Sequence, residues 1–326
     1  MVVLLGCVLP PGNTADLVRL WVAPGSFLGG APRVPRGYDR GRTTGRGGRV
    51  RRTRRHRVER LSVDGTSRPR SDVLAGEEPM ELRVDGAAWT VTMRTPGDDF
   101  DLALGFLVSE GVVWDAEQVA GVAYGPGVNP DGTRSYNIVD VRLSPGVAPP
   151  GTSHERHVYT SSACGICGTS SIDAVTRASR FPVADDVRVP LPELLAMTDR
   201  IRSEQRLFAE TGGVHAAGLF AVADDGRAEL LCLREDVGRH NAVDKVVGWA
   251  LREQGLPLRR CVLQVSGRAS FELVQKAHMA GIAVLSAVSA PSAMSVELAA
   301  GVGMTLVGFS RGDSANVYAG RERIVT

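Results

Sequence analysis

The sequence predicts an α/β protein whose carboxyl-terminal part contains a mostly parallel sheet covered by helices. From Asp236 onward, short apolar strands alternate with helical segments at the pace of strand–helix–strand units. Before Asp236 the pattern is different, with alternating strands joined by turn dipeptides such as Asp85-Gly86. These two patterns predict a smaller α+β region followed by the α/β domain.

Three segments follow from composition. Residues 1–57 are rich in Gly, Pro and Arg without an apolar period, so we expect a disordered leader. A basic arm that contacts an acidic partner or RNA is the functional alternative for this leader. Residues 58–150 are predicted as the α+β region, and residues 151–326 as the α/β domain.

In the α+β region, residues 80–84 and 88–94 alternate around Asp85-Gly86 and predict a hairpin. Asp98 or Asp99 caps a predicted helix that continues to about Glu110, because apolar side chains recur there at helical spacing. Strands are predicted near 119–124 and 136–143. The linker 145–151 leads into the next domain.

The α/β domain is predicted element by element from apolar spacing and turn residues. Helices are expected at 169–179 and 191–210, and a second hairpin at 216–223 and 229–234 around Asp224-Asp225-Gly226. Beyond Asp236 the predicted order is helix 241–253, strand 261–265, helix 270–280, strand 282–286, helix 292–300 and strand 304–309.

Charge is divided unevenly along the chain. Residues 33–60 hold twelve arginines against two acids, a net charge of +10, whereas residues 61–326 carry −8. An acidic body of this kind disfavours nucleic-acid binding. No apolar run approaches the ~20 residues of a membrane-spanning helix. We therefore expect no membrane partner. The five cysteines are too few and too scattered for a disulfide framework, so we expect a reducing cytoplasm.

Cys164 and Cys167 stand in the glycine-flanked motif Ala163-Cys164-Gly165-Ile166-Cys167-Gly168, ahead of a predicted helix. Unpaired N–H groups at a helix start favour a thiolate. Zinc is an alternative, with His154 and His157 completing four ligands, and a redox pair is another. A reactive thiol is favoured and no metal site is expected. Cys7, Cys232 and Cys261 lie in apolar runs and are predicted to be core residues.

Two polar loops follow predicted parallel strands, where ligands of open α/β sheets bind. The first, Ser266-Gly267-Arg268, opens a helix and suits a phosphate group, although such turns are common. In the second, Gly308-Phe309-Ser310-Arg311-Gly312-Asp313, the aromatic ring can stack on a base and the carboxylate can pair with a guanine edge. Plain surface is the alternative for either loop. Deaminase chemistry is disfavoured because His-x-Glu and Pro-Cys-x-x-Cys are both missing.

A third motif packs seven ionisable residues between Leu233 and Lys245, around a glycine turn. A solvated helix start is the simpler interpretation, but the apolar flanks slightly favour a buried polar site. His240 in this motif is either a proton shuttle or an oriented structural histidine.

Together these motifs resemble the FdhD family of formate dehydrogenase accessory sulfurtransferases over about residues 57–326. The resemblance is carried by Ala163-Cys164-Gly165-Ile166-Cys167-Gly168, Thr211-Gly212-Gly213-Val214-His215, Glu235-Asp236-Val237-Gly238-Arg239-His240-Asn241-Ala242-Val243-Asp244-Lys245, Ser266-Gly267-Arg268 and Gly308-Phe309-Ser310-Arg311. It implies that the α/β domain is cytidine-deaminase-like without the zinc site.

The resemblance also implies a function. Such proteins accept persulfide sulfur from a cysteine desulfurase and pass it to the molybdenum cofactor Mo-bis-MGD, a bound substrate that formate dehydrogenase needs in sulfurated form. Cys164 is the expected carrier and Cys167 its assistant. The guanine nucleotide end is expected at Phe309, Ser310, Arg311, Gly312, Asp313 and Ser314. A homodimer and contact with the formate dehydrogenase catalytic subunit are implied as well. A cofactor-binding chaperone without sulfur transfer and a small zinc-binding interaction module are the other classes considered.

Overall fold

The structure is a computed structural model and describes residues 52–129, 132, 134–150, 179–183 and 186–326. Most of the predicted leader, the cysteine motif and the predicted helix 169–179 lie outside these residues. The chain begins in the described part with an antiparallel ribbon of β1 (Thr53–Leu61) and β2 (Ser67–Ala75). This ribbon was not predicted, and β1 starts inside the expected leader. It is held by strand pairing with little burial, so it has no apolar period.

The amino-terminal elements match the predicted pattern closely. A hairpin of β3 (Glu78–Val84) and β4 (Ala87–Arg94) turns at Asp85-Gly86 and precedes helix α1 (Asp99–Ser109). Strands β5 (Val119–Tyr124) and β8 (Ile138–Leu143) complete a four-stranded sheet, with order β4-β3-β8-β5. Between them lies the short pair β6 (Gly127–Val128) and β7 (Arg134–Ser135).

The carboxyl-terminal part is built on a six-stranded sheet with its helices. In chain order the elements are β9 (Val189–Pro190), α2 (Leu191–Glu204), α3 (Arg206–Thr211), β10 (His215–Val222), β11 (Ala228–Asp236), α4 (Arg239–Glu253), β12 (Cys261–Val265), α5 (Phe271–Met279), β13 (Val284–Ala287), α6 (Ala293–Gly301), β14 (Thr305–Arg311), β15 (Ser314–Ala319) and β16 (Ile324–Val325).

The larger sheet is mixed, which corrects the prediction of a mostly parallel sheet. Its order is β11-β10-β12-β13-β14-β15, and only the pairs β12–β13 and β13–β14 are parallel. The other three pairs are antiparallel: the hairpins β10–β11 and β14–β15 form the two edges of the sheet, and β10 runs antiparallel to β12. The sheet is nevertheless covered on both faces. Leu219, Leu263 and Leu285 belong to one buried cluster, and Phe220, Val262 and Val284 belong to another.

The helix predicted at 191–210 is two helices, α2 and α3, separated at Gln205. The buried carboxylate of Glu235 accepts hydrogen bonds from the backbone N–H groups of Leu207, at 2.9 Å, and Phe208, at 2.8 Å. These two donors would have no partner at a helix start. Glu235 therefore stabilises a second helix start that apolar spacing does not reveal.

One apolar core joins the two sheets. Met80 from β3, Leu104 from α1, Val247 from α4 and Leu263 from β12 belong to the same buried cluster. Helix α1 packs directly on α4, which places the α+β region against the helices of the larger sheet. In the described ranges no helix is long and apolar enough to cross a membrane.

Candidate functional site

The carboxyl ends of the three parallel strands β12, β13 and β14 form one polar edge. Backbone hydrogen bonds join the loops that leave them: Ser289 N donates to Gly267 O, and Phe309 N donates to Ser289 O, each at 3.3 Å. The loop after β12 also pairs with the loop after β13, because Ala269 N donates to Ala290 O at 3.2 Å. We call this surface, made of residues 266–270, 288–292 and 309–314, the strand-end edge.

Segment 309–314 comprises the end of β14, the β14–β15 turn and the first residue of β15, and it lies at this edge. Phe309 has a left-handed backbone, with φ 53°, and its side chain is 36% exposed. Ser310 is fully buried, and its carbonyl oxygen accepts a hydrogen bond from Thr198 Oγ1 at 2.7 Å. Arg311 pairs with Ser314 across the turn, and the positive φ of Gly312 allows the reversal. Ordered backbone thus presents the turn side chains, four of them exposed.

Buried polar atoms without partners lie close to the strand-end edge. Among the described residues, Ser310 Oγ, Ser286 Oγ and Gln264 Oε1 have no hydrogen-bond partner, and all three side chains are fully buried. Gln264 and Ser286 face each other across β12 and β13. Unsatisfied buried polar atoms are uncommon and indicate a missing polar partner, such as ordered water or a ligand.

Basic side chains border the same edge. His215 begins β10, and a Cβ placed on Gly267 would lie 3.3 Å from its Nδ1 atom. Burial, with Arg239 and His240 nearby, lowers the pKa of His215. The Nε atom of Arg239 is buried and has no hydrogen-bond acceptor among the described residues. An anion bound here would meet the His215 ring at the start of β10 and the Arg239 guanidinium at the start of α4.

His240 contacts the start of α5. Its Nε2 atom lies 3.2 Å from Ser270 Oγ and 3.6 Å from Glu272 Oε2. The contact with His240 lowers the pKa of Glu272 to about 2. This arrangement orients the imidazole toward the strand-end edge, and both earlier interpretations of His240 remain open.

The rest of the charged motif around residues 233–245 is structural. Lys245 Nζ lies 2.8 Å from Asp236 Oδ2 and donates to Thr95 O at 2.8 Å, with both charges fully buried. Asp244 pairs with Lys276 at 2.7 Å. The slight preference for a buried polar cluster is therefore correct, but these contacts join α4 to β4 and α5 instead of lining the edge.

The cysteine predictions divide in two. Cys164 and Cys167, with the possible ligands His154 and His157, lie outside the described residues, so their roles stay predictions. Cys232 and Cys261 are buried as predicted. Burial raises the pKa of the Cys232 thiol to about 12, which leaves it protonated and unreactive at neutral pH.

From the sequence, the nucleotide site is predicted at segment 309–314, a role that stays a prediction, and His215 and Arg239 are not among the predicted site residues. Both residues stand in the quoted motifs, at a strand start and a helix start. Their position at the edge depends on β10 running antiparallel to β12, which brings the start of β10 to the end of β12, with Ala217 opposite Val265. A mostly parallel sheet would not predict this neighbourhood.

Comparisons with known proteins agree with this architecture. The model of the FdhD/NarQ family matches residues 75–325. The sulfur carrier protein FdhD of Streptomyces coelicolor is 57% identical over 280 residues, covering 85% of this chain and 96% of the relative. The protein of that name from Mycobacterium tuberculosis is 54% identical over 276 residues, covering 83% of this chain and 98% of the relative.

A solved structure shows the same fold. It belongs to a protein of Desulfotalea psychrophila that is described as a formate dehydrogenase accessory protein. Its TM-score is 0.66 at 24% identity, and the match covers 84% of this chain and all of that chain. The family match spans both sheets and the strand-end edge. The chain belongs to the FdhD/NarQ family.

Proposed function

We propose that this protein is a sulfur carrier for formate dehydrogenase maturation, which takes persulfide sulfur from a cysteine desulfurase and transfers it to Mo-bis-MGD. Relatives that this chain matches over nearly their whole length are named sulfur carrier protein. The observation that carries the proposal is the strand-end edge, where an exposed aromatic ring, Arg311 and Asp313 stand together beside buried unpartnered oxygens. These are groups that suit a nucleotide.

Sulfur acceptance needs one nucleophile. The Cys164 thiolate attacks the terminal sulfur of the donor's persulfide, a new S–S bond forms on Cys164, and the donor's S–S bond breaks. The donor cysteine leaves as a thiolate, so the sulfur changes carrier without net oxidation. The family-matched segment contains four cysteines. Cys232 and Cys261 are buried, and we assign Cys164 as the carrier and Cys167 to the release step.

Release requires two electrons, because the sulfur must leave as sulfide. Cys167 supplies them: its thiolate attacks the Cys164 sulfur atom, a Cys164–Cys167 disulfide forms, and the terminal sulfur departs as hydrosulfide to the substrate. A cellular dithiol then reduces the disulfide. Two cysteines separated by two residues are close enough in sequence for this exchange.

The edge residues hold the nucleotide end of the substrate in this proposal. Phe309 stacks on guanine, Asp313 accepts from the guanine N1–H and N2–H edge, and Arg311 binds a phosphate or carbonyl oxygen. The remaining residues of segment 309–314 provide turn backbone and hydroxyl groups. A deaminase-like origin of the larger sheet, a homodimer, cytoplasmic action and contact with the formate dehydrogenase catalytic subunit belong to the same proposal.

Mass spectrometry separates a carrier from a chaperone that binds the cofactor without moving sulfur. The full chain is incubated with a cysteine desulfurase and cysteine, alkylated and mapped by peptide. We expect a one-sulfur adduct on Cys164 in the wild type and in C261A, and none in C164A. If neither Cys164 nor Cys167 carries sulfur in the wild type, the chaperone alternative replaces the sulfur carrier.

A further inference from the structure

The β1–β2 ribbon is the part of the described chain that the proposed function does not use. Strands of nine residues extend about 30 Å, and almost every side chain along them is exposed. The ribbon is anchored at its base. Gly76 N donates to Arg52 O at 2.7 Å, and Arg54 pairs with Glu78 at 3.3 Å. The family model begins at residue 75, so the ribbon precedes the part that defines the family.

The ribbon is basic on an acidic body. Residues 52–75 contain seven arginines and three acids, a net charge of +4, whereas residues 76–326 carry −8. The three acids do not neutralise the arginines, since Glu59 accepts from Ser67, Asp64 from Thr66, and Asp72 from Val73 N. Among the described residues no acid forms an ion pair with the arginines beyond the base, which are Arg55, Arg57, Arg60, Arg68 and Arg70.

The strand register increases the charge repulsion. Arg60 lies directly opposite Arg68, and both are exposed. Like charges at opposed positions destabilise a strand pair, and a lone two-stranded ribbon is marginally stable in water. Binding of a ligand rich in carboxylates or other anions would remove this repulsion. The ribbon is therefore a structure whose stability increases when an anionic surface covers it.

The ribbon end is apolar. Leu61 is 74% exposed, and Val63, in the connecting turn, is completely exposed at 112% of its reference area. These side chains stand beside Arg60 and Arg68. Apolar groups surrounded by arginine are typical of the central part of a protein–protein interface.

We propose that the β1–β2 ribbon is a docking arm that binds an acidic surface of a partner protein, with Leu61 and Val63 entering an apolar recess there. Arginine is the cation suited to bidentate contact with carboxylates, and every lysine is missing from residues 52–75. The ribbon also lacks Phe, Tyr and Trp, which single-stranded RNA needs for stacking and which membrane-surface segments use as anchors. A long nucleic acid would in addition meet the acidic body.

The test uses defined probes and the full chain. A labelled glutamate peptide with leucine at every fourth position is titrated at low and physiological salt, beside an all-glutamate peptide of equal length. We expect the leucine-containing peptide to bind more tightly, and salt to weaken both. R60Q/R68Q is expected to lower the affinity about fivefold or more. L61S/V63S is expected to abolish the preference for leucine.

Matched controls separate docking from folding. R142Q/R206Q removes the same charge at two other exposed arginines and is expected to leave peptide affinity within about twofold. Thermal unfolding of R60Q/R68Q should be unchanged or raised, because an unfavourable arginine pair is lost. Weaker binding therefore cannot be attributed to misfolding.

Three outcomes would overturn the proposal: equal binding by R60Q/R68Q and the control, ribbon-dependent binding of duplex RNA or phosphatidylserine vesicles that exceeds peptide binding, or ribbon-dependent self-association in place of peptide binding. None of these readouts involves sulfur, so the docking arm and the sulfur carrier can fail independently.

Discussion

At Phe309 the backbone adopts a conformation that non-glycine residues rarely take, with φ 53°, and the ring is partly exposed. The left-handed backbone costs a non-glycine residue roughly 1 kcal/mol or more, and the exposed third of the side chain contributes nothing to burial. Strained residues of this kind are concentrated at binding sites. This combination supports the proposed role of Phe309 in ligand binding.

Replacement by glycine separates the two roles of Phe309. F309G is expected to lower the free energy of unfolding by about 1–2 kcal/mol, because the loss of the buried two-thirds of the side chain outweighs the relief of the positive-φ strain. The same change is expected to weaken GDP binding by about 1–3 kcal/mol through loss of stacking. Urea unfolding and calorimetric titration with GDP measure the two effects. Unchanged GDP affinity in F309G would remove Phe309 from the site.

Glu272 makes stability depend on pH. Its pKa falls from 4.5 to about 2 in the folded protein, mainly through the contact with His240. A depressed carboxyl pKa stabilises the fold above the unfolded value, and this stabilisation is lost as pH falls from about 4.5 toward 2. Between about pH 5 and pH 2.5, we expect the free energy of unfolding of E272Q to fall by about 1–3 kcal/mol less than that of the wild type.

Urea unfolding across this pH range provides the measurement, with the exposed Glu210→Gln variant as the control. Equal pH slopes for E272Q and the wild type would mean that the His240 contact does not hold the Glu272 carboxylate in solution.

At the scale of elements, helices α1 and α4 cross with almost no space between them. A Cβ on Gly105 would lie 1.8 Å from Asp244 O, and a Cβ on Gly248 would lie 1.8 Å from Asp101 O. Both obstacles are helix backbone, which cannot rotate away as a side chain can. Glycine at these two positions therefore sets the distance between the helices.

Alanine at either crossing position is expected to destabilise strongly. We expect G105A and G248A each to lower the free energy of unfolding by about 3 kcal/mol or more, because the helices must separate and the core beneath them opens. The control is G301A, at the end of α6, where a Cβ meets nothing within 4 Å. A loss below about 1 kcal/mol in both crossing variants, measured by urea unfolding, would contradict the close crossing.

The elements show what sequence patterns predict and what they miss. The bounds of α4 and β12 are close to prediction because their apolar periods are strong and their ends carry turn residues. Strand β15 was not predicted, because its residues are half-buried only at alternate positions and the β14–β15 turn was interpreted as a loop. The break between α2 and α3 depends on Glu235, a residue far along the chain, which a local pattern cannot show.

At the scale of the whole molecule, buried charges connect the two sheets. Asp236 accepts from Thr95 N at 3.0 Å, while Lys245 donates to Thr95 O, so one ion pair binds both backbone groups of a β4–α1 connection. Asp101 of α1 also pairs with Arg234 and Arg252 at 2.9 Å each. Together with the shared core, these contacts indicate that both regions unfold as one unit.

Removal of one buried charge tests this coupling. D236A is expected to lower the free energy of unfolding by about 3–5 kcal/mol, because Lys245 remains buried without its partner. Tryptophan fluorescence and far-UV circular dichroism should give coincident single transitions in the wild type. The control is Asp225→Ala, which removes an exposed ion-pair partner and should leave stability close to that of the wild type. Two separate wild-type transitions would contradict the single unit.

Contacts between residues that are distant in sequence could not be predicted from local patterns. The motif at residues 233–245 predicted a buried polar cluster, but its contacts to Thr95 span about 140 residues and are visible only in the fold. The direction of β10, and therefore the place of His215, likewise depends on sheet order. The position of segment 309–314 at a strand end was predictable from apolar spacing, whereas its nucleotide role and the assignment of Cys164 and Cys167 stay predictions that rest on their motifs and on family resemblance.

Sulfur transfer itself is the most direct test of the central claim. The full chain is loaded with radiolabelled sulfur from a cysteine desulfurase, freed of donor, and mixed with unsulfurated Mo-bis-MGD. We expect wild-type protein to lose its label to the cofactor, C167A to load but release slowly, and C164A to carry none. Equal delivery of label by C164A and the wild type would contradict a sulfur carrier acting through Cys164.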